Sequence, residues 1–413
     1  MDFLKRQISD LAIFGGDKLF EPPRPIGQLW VPKRESFYGY CDYLFSGADN
    51  GKELDPILLL EDRLKSVHQV KHCIAYANAS VAIVALLKLM GSYYGKEHGE
   101  VVLPAFTYSG LPHLVRWAGF MPKFVDVEQK TQAISPQAVR ESLGPDTVAI
   151  LAVHQINSPA DVTEFAQISS ENDLPVIYDS VHGILCSIDG VPVGNFGEAE
   201  IFSLHATKII NGFEGGYVTT NSEKIATDLR AVRSYGEDPG HDWISFGLNG
   251  HLNPVHAALA LASLEDKDQI IALNRSKYEK YAREFESVPQ VSWVKYDQHS
   301  SHGQKYDFNY EFFILEIPQD WPLSRDQVVM LLRSEGGLAR GYYSPPVHHS
   351  SHFPIELEVP SLPVTEELSE RFVQMPVGDC LSLRDIEVLA TWFTFIHQNA
   401  EAIKIRLNEM VEN

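Results

Sequence analysis

Residues 178–220 read YDSVHGILCSIDGVPVGNFGEAEIFSLHATKIINGFEGGYVTT, and the way their apolar runs end sets the fold class. The run from Pro175 to Tyr178 is a short apolar strand that closes on Asp179. A second strand, Glu200 to Leu204, is followed by His205, Ala206, Thr207 and then Lys208. Gly215 and Gly216 begin a third, Tyr217 to Thr220, too close behind its predecessor for a helical crossover, so the chain is expected to return across the sheet there. In open, mostly parallel sheets, ligands sit beyond the carboxyl ends of the strands. Asp179 and Lys208 fall at such ends.

Upstream, the same alternation of short apolar runs and helical patterns extends back to about residue 70, which predicts an α/β protein. Further candidate strands are Val101 to Leu103, Pro122 to Val127 and Val148 to His154; candidate helices are Gln137 to Leu143 and Val162 to Asn172. Downstream, Pro254 to Leu264 opens an Ala/Leu-rich helix whose periodicity continues to about Phe285 and reads as a connector between domains. The remainder mixes a strand at Phe312 to Glu316, helices at Arg325 to Ser334 and Leu383 to Gln398, and a Pro/His-rich loop at Tyr342 to His352. The expected division is an N-terminal arm over 1–50, a large domain over 51–270 and a smaller C-terminal α/β domain over 271–413. The arm, with Pro22, Pro23, Pro25 and Trp30 but little periodicity, is expected to be ordered and packed on a partner subunit.

The 413 residues are 44% hydrophobic and 22% charged, the balance of an ordinary globular protein. A formal net charge of -21 repels polyanions, so neither nucleic acid nor an anionic membrane is the expected partner. Cys41, Cys73, Cys186 and Cys380 form no C-x-x-C pair, which argues against zinc and a disulfide framework and fits a reducing compartment such as the cytoplasm. No signal-peptide order is seen in the first residues, and the most apolar run, Val81 to Met90, is far short of the ~20 residues of a membrane span.

Three positions at strand ends carry chemistry. Ser80, ahead of the apolar helix VAIVALLKLM, either caps that helix or offers its hydroxyl and the free N–H groups to a phosphate. Asp179 suits a cation, a helix cap or a protonated ring nitrogen. Lys208, if desolvated, is a neutral amine fit to form a Schiff base. Together with a flat side chain these meet the needs of pyridoxal phosphate chemistry: a phosphate cup, an acidic partner for the pyridine nitrogen, a ring stack and a lysine.

The same stretch, with PAFTYSG, VHQINSPAD, FGLNGHLNPVHAALALASL and YYSPPVHH on either side, resembles the sugar aminotransferases of the DegT/DnrJ/EryC1/StrS family over roughly residues 50 to 400. The resemblance implies a fold-type-I pyridoxal phosphate transferase with a mostly parallel seven-stranded sheet. It makes Lys208 the internal-aldimine lysine, Asp179 the partner of the pyridine nitrogen and His182 the contact of the ring's phenolic oxygen. Tyr108 is implied to stack on the ring, Ala79, Ser80 and Ser203 to hold the phosphate, and Asn249 to reach the phosphate of a neighbouring subunit, hence a homodimer with shared sites. His154, Gln155, Tyr342, Tyr343 and His348 match positions on the substrate side. The implied reaction passes an amino group from an amino-acid donor, glutamate foremost, through pyridoxamine phosphate to a keto sugar nucleotide.

The chain departs from the family pattern at Val181 and Ala79, which add bulk near the ring, at His154 to Asn157, and at Gly110 where threonine is frequent. A cyclitol or another natural-product ketone is an alternative acceptor; a related sugar dehydratase is disfavoured because such relatives carry histidine in place of Lys208. A degenerate binding module is disfavoured by the intact Lys, Asp, Ser and His set. His348, His349 and His352 have no acidic or cysteine neighbour in sequence, so no metal is expected there.

Overall fold

A computed structural model of the chain describes residues 5–45, 55–156, 158–237, 246–296, 303–349 and 361–412. Asn157, Trp243 and His352 lie outside them. The strands are β1 (His72–Tyr76), β2 (Glu100–Pro104), β3 (Met121–Val125), β4 (Thr147–Val153), β5 (Val176–Asp179), β6 (Ser187–Ile188), β7 (Val191–Pro192), β8 (Ala199–Ser203), β9 (Gly216–Thr220), β10 (Ser292–Trp293), β11 (Tyr306–Asp307), β12 (Ile314–Glu316), β13 (Arg340–Gly341) and β14 (Phe372–Gln374). The helices before the turn of the chain at β9 are α1 (Arg34–Phe45), α2 (Pro56–His68), α3 (Ala79–Tyr93), α4 (Leu111–Trp117), α5 (Pro136–Ser142) and α6 (Val162–Asn172). Those after it are α7 (Glu223–Arg233), α8 (Pro254–Glu265), α9 (Lys267–Phe285), α10 (Arg325–Ser334), α11 (Pro363–Arg371), α12 (Leu383–Gln398) and α13 (Ala400–Glu412).

Seven strands form the main sheet in the order β1-β9-β8-β5-β4-β2-β3. β3, β2, β4, β5 and β8 pair in parallel, while β9 runs antiparallel to both β8 and β1. The Gly215-Gly216 return therefore does what its spacing predicts. β4, TVAILAV, is buried at every position, as a strand covered on both faces must be. α3 is apolar around most of its circumference, and its Ile83, Leu86, Leu87 and Met90 enter the core beside β2 and β4. β1, HCIAY, is an edge strand that the apolar runs read in the sequence did not single out.

A second sheet, β10-β12-β14-β13, is wholly antiparallel, and its core joins Phe313, Leu315 and Val373 to Leu331, Leu389 and Phe393 from α10 and α12. The helical periodicity from Pro254 to Phe285 resolves into α8 and α9, broken at Asp266, whose carboxylate accepts the Trp30 indole N–H at 3.0 Å. The arm packs on its own chain. Leu11, Leu19 and Phe20 join the second core, Glu335 accepts the N–H of Ala12 (3.0 Å) and Leu19 (3.2 Å), and the Gln28 N–H reaches the Thr207 carbonyl at 3.0 Å. It also holds α1, hidden in sequence by Gly39 and clustered aromatics; Tyr40 of that helix donates to Glu265 at 2.6 Å. Among the described residues no helix is long and apolar enough to cross a membrane.

Candidate active site

The carboxyl edge of the main sheet gathers the residues that the sequence placed at strand ends. Ser203 closes β8 directly opposite Gly216 at the start of β9. Gly216 in turn lies so close to the start of α3 that a Cβ there would come within 2.3 Å of the Ala79 nitrogen. Ser203, Gly216 and Ala79 thus form a row. Asn78, and not Ser80, caps α3, its side chain accepting the Val81 N–H at 2.9 Å. Ser80 is left exposed in the first turn, where unpaired N–H groups and the helix dipole favour an anion.

Beside this row, Asp179 closes β5 with its carboxylate buried and held by the Val181 N–H at 3.2 Å. Burial pushes its pKa up to about 6, against the lowering effects of that hydrogen bond and of the Lys208 charge. Lys208 follows β8 in a turn closed by its own N–H on the His205 carbonyl at 2.9 Å. Its amine is pulled below the usual lysine range by burial, which the charges of Glu311 and Asp179 oppose. The Lys208 Nζ lies 3.5 Å from His182 Nδ1, and the same ring nitrogen is 2.9 Å from Glu311 Oε2. Burial, then the Lys208 charge, lowers the His182 pKa, while Glu311 raises it. Asp179, His182 and Lys208 therefore share one electrostatic site, as expected of neighbours that shift one another.

Tyr108, in the loop between β2 and α4, has its ring exposed and folded over Gly110, where a Cβ would meet the tyrosine ring at 2.4 Å. Asn249 is exposed on a short bridge with Ser234, and the next residue, Gly250, accepts the Ala77 N–H at 2.8 Å, so this loop is tied to the start of α3. Tyr342 is buried and donates its hydroxyl to Gln155 Oε1 at 3.0 Å; Gln155 donates in turn to the Phe106 carbonyl at 2.8 Å. These two side chains spend their polar atoms on one another and on backbone. Tyr343 is only partly buried, its ring stacked close to that of Tyr342 at 4.1 Å and edge-on to Phe106 at 5.3 Å.

His154 departs from its expected place on the substrate side. Its ring is wholly buried, stacked flat on Tyr178 at 4.7 Å and edge-on to Phe196. Nδ1 accepts the Ala160 N–H at 3.1 Å, so the proton sits on Nε2, which faces Glu200 Oε2 at 3.7 Å. The reason is strand alternation: successive side chains point to opposite faces, and Asp179 and Tyr178 divide β5 in the same way. The histidine loop also differs from expectation. An acidic partner is present, for Glu366 of α11 lies 3.4 Å from His348 Nε2 and 3.5 Å from His349 Nε2. Sequence distance hid it. His348 is buried, and desolvation followed by the His349 charge lowers its pKa, so a carboxylate-anchored imidazole describes this group.

Glu311 escaped the sequence reading altogether. The signal available was an acidic residue inside the largely apolar run FNYEFFIL, where an ion needs a buried partner.

Comparison with known proteins agrees with this architecture. The sequence profile described as the DegT/DnrJ/EryC1/StrS aminotransferase family matches residues 49–393. A dTDP-4-amino-4,6-dideoxy-D-glucose transaminase of Shigella dysenteriae is 26% identical over 371 residues, spanning 90% of this chain and 98% of the relative. The crystal structure of DesI in the presence of its TDP-sugar product superposes with a TM-score of 0.88 at 29% identity, covering 97% of this chain and 100% of the other. Helicobacter pylori PseC, an aminotransferase involved in pseudoaminic acid biosynthesis, shares the fold with a TM-score of 0.79 at 20% identity, over 91% of this chain and 99% of its own.

Proposed function

The chain belongs to the DegT/DnrJ/EryC1/StrS aminotransferase family, and on that premise we propose that it moves an amino group from glutamate to a nucleotide-linked keto sugar, with pyridoxal phosphate as cofactor. The observation that carries the reading is the placement of a desolvated lysine beside a buried carboxylate and a histidine at one sheet edge, next to a helix N-terminus. Relatives named for work on dTDP- and TDP-linked sugars support the substrate class.

The donor set fits the cofactor. Asp179 has a buried carboxylate with one hydrogen bond from the protein, leaving an oxygen to pair with a pyridinium N–H. We assign the phosphate to the first turn of α3 with Ser80 and to Ser203 across from Gly216, and the ring stack to the exposed Tyr108, as the family resemblance implies. When bound, pyridoxal phosphate supplies a carbonyl that condenses with amines and a ring that takes up the electron pair left when a Cα proton departs.

The protein's own groups then have distinct tasks. Lys208 Nζ takes the proton from the donor Cα and later delivers one to the acceptor carbon, which requires the neutral amine that burial favours. Asp179 holds a proton on the ring nitrogen by its negative charge. His182, 3.5 Å from Lys208 Nζ, would hold the ring's phenolic oxygen, as the family resemblance implies. Tyr343 and the edge of the Tyr342 to His349 segment bound the acceptor's approach, with Gln155 and Tyr342 bracing that wall from behind. We also assign Asn249, exposed on a loop tied to the start of α3, to the phosphate of a partner subunit in a homodimer, as the family resemblance implies.

The test is to load the protein with pyridoxamine phosphate and screen keto sugar nucleotides and cyclitol ketones by mass spectrometry. Amination of a keto sugar nucleotide with glutamate as reloading donor is expected. Conversion of cyclitol ketones alone would displace the substrate assignment, and failure to bind the cofactor would remove the chemistry.

A further inference from the structure

We propose that Glu311 is a positioning residue of this site, its carboxylate accepting the Nδ1–H of His182 and thereby fixing the orientation and tautomer of that imidazole beside Lys208. The inference deepens the reading above and rests on it only for the consequence to turnover.

The geometry starts with who can donate to whom. His182 Nδ1 is 2.9 Å from Glu311 Oε2 and 3.5 Å from Lys208 Nζ. An ionised carboxylate only accepts, so a contact at hydrogen-bond distance with it needs the proton on Nδ1, whereas the lysine amine can donate or accept. The shorter contact therefore takes the proton: Nδ1–H points at Glu311, and Nε2 is the ring nitrogen turned to other partners. A charge-assisted bond of this kind is stronger than one between neutral groups.

Glu311 is itself built in. Its residue is 1% exposed. Its N–H donates to Asn309 Oδ1 at 3.0 Å, and Asn309 Nδ2 donates to the carbonyls of His182 and Ile184, each at 2.9 Å. Asn309 thus clamps the backbone of the glutamate to the backbone of the histidine. From the N-terminal arm Gln28 donates to the Glu311 carbonyl, and the Phe312 ring meets the imidazole edge-on at 5.4 Å. Three separate parts of the chain hold one carboxylate against one ring nitrogen. The other oxygen, Oε1, is buried with no hydrogen-bond partner among the described residues. A buried carboxylate oxygen left unpaired is costly, so a position evolved only for stability has little reason to keep it.

The experiment compares Glu311→Leu, which removes the acceptor, with Glu311→Gln, which keeps an acceptor oxygen and removes the charge. Nitrogen NMR of histidine-labelled protein without cofactor reads the His182 tautomer directly. The Nδ1–H form is expected in the parent and in Glu311→Gln, and a mixture of tautomers in Glu311→Leu. Turnover of the loaded enzyme is expected to fall about 10–100-fold, the scale for a group that orients a functional histidine, in Glu311→Leu and to recover in part in Glu311→Gln. Combined with His182→Asn, neither substitution should add a further loss, because both act through one ring. An unchanged tautomer in Glu311→Leu, or losses that multiply with His182→Asn, would overturn the proposal. Should Glu311→Leu fail to fold, Glu311→Gln with His182→Asn decides by the same additivity criterion. The cofactor-free tautomer reading stands whatever substrate the enzyme accepts, so its failure is distinct from failure of the transaminase assignment.

Discussion

The carboxylate of Asp126, one residue past β3 in the main sheet, accepts the N–H groups of Val364 at 3.0 Å and Thr365 at 2.8 Å, and the Thr365 hydroxyl at 2.8 Å. These are free donors of the first turn of α11, whose own N-cap position, Leu362, makes no side-chain cap. An acid from one sheet thus caps a helix that leads into the other, and it holds Glu366 where it meets His348.

Asp126→Ala should cost about 1–2 kcal/mol, the usual loss of a helix cap, and lower the melting temperature by about 1–2 °C, since an unfolding entropy of ~2.1 cal/mol/K per residue makes each kcal/mol worth roughly 1 °C in a chain of 413 residues. Calorimetry checks this. No change in melting would mean that α11 is capped adequately by water.

Lys208→Ala should abolish turnover and the visible absorption of the covalently held cofactor, while leaving the melting curve of the cofactor-free protein close to that of the parent. Absorbance after addition of pyridoxal phosphate is the measurement. A persisting band in the variant would reassign the lysine.

Asp179→Asn keeps the shape of the pocket and removes its charge. Cofactor affinity should change little, and kcat should fall about 10²–10³-fold, the scale seen when one electrostatic stabiliser is removed. Stopped-flow measurement of each half-reaction checks it. Equal rates would show that the ring nitrogen needs no ionised partner here.

Gly216→Ala forces a Cβ to within 2.3 Å of the Ala79 nitrogen, against backbone that cannot move aside cheaply. The expected cost is about 1–3 kcal/mol of overpacking, together with weaker cofactor binding because the start of α3 must shift. Titration with pyridoxal phosphate separates the two effects. Unaltered affinity would place the phosphate away from that turn.

The buried pair of His154 and Glu200 predicts a pH effect. Glu200 Oε1 accepts the N–H groups of Gly194 and Phe196, both at 2.7 Å, yet burial still lifts its pKa from 4.5 to about 7. The folded chain keeps a proton there that the unfolded chain releases, so this stabilisation is complete below pH 4.5 and is lost as pH rises through about 7. His154, lowered by burial from 6.5 to about 3, acts in the opposite sense: it is neutral in the fold, and stability falls as pH drops from 6.5 toward that value. Glu200→Gln should therefore flatten the decline in melting temperature on the alkaline side of pH 4.5 and leave the acid side unchanged. Identical slopes in parent and variant would mean that Glu200 is ionised in the fold.

The amino-acid order alone determined what depends on neighbours in the chain. Apolar runs with polar ends placed β2, β3, β4, β5, β8 and β9 to within two or so residues, and Gly215-Gly216 announced the antiparallel return. Asp179 and Lys208 were legible because each follows an apolar run that reads as a strand, and strand ends define the ligand edge of such a sheet, whereas Ser203 was implied only by the family resemblance. Only tertiary structure decided the rest. His154 is one residue beyond a strand as well, but the face its ring takes depends on the pleat and on Tyr178, so it is buried beside Glu200 and away from Lys208. α1 exists because α8 offers a surface for it, and Trp30 meets Asp266 across more than half of the chain. Glu311 and His182 are brought together by the pairing of β11 with β6 and by Asn309, and Glu366 and His348 by a helix that Asp126 caps. Such pairs join residues distant in the chain, and no local pattern encodes a contact whose free energy exists only when both surfaces are already folded.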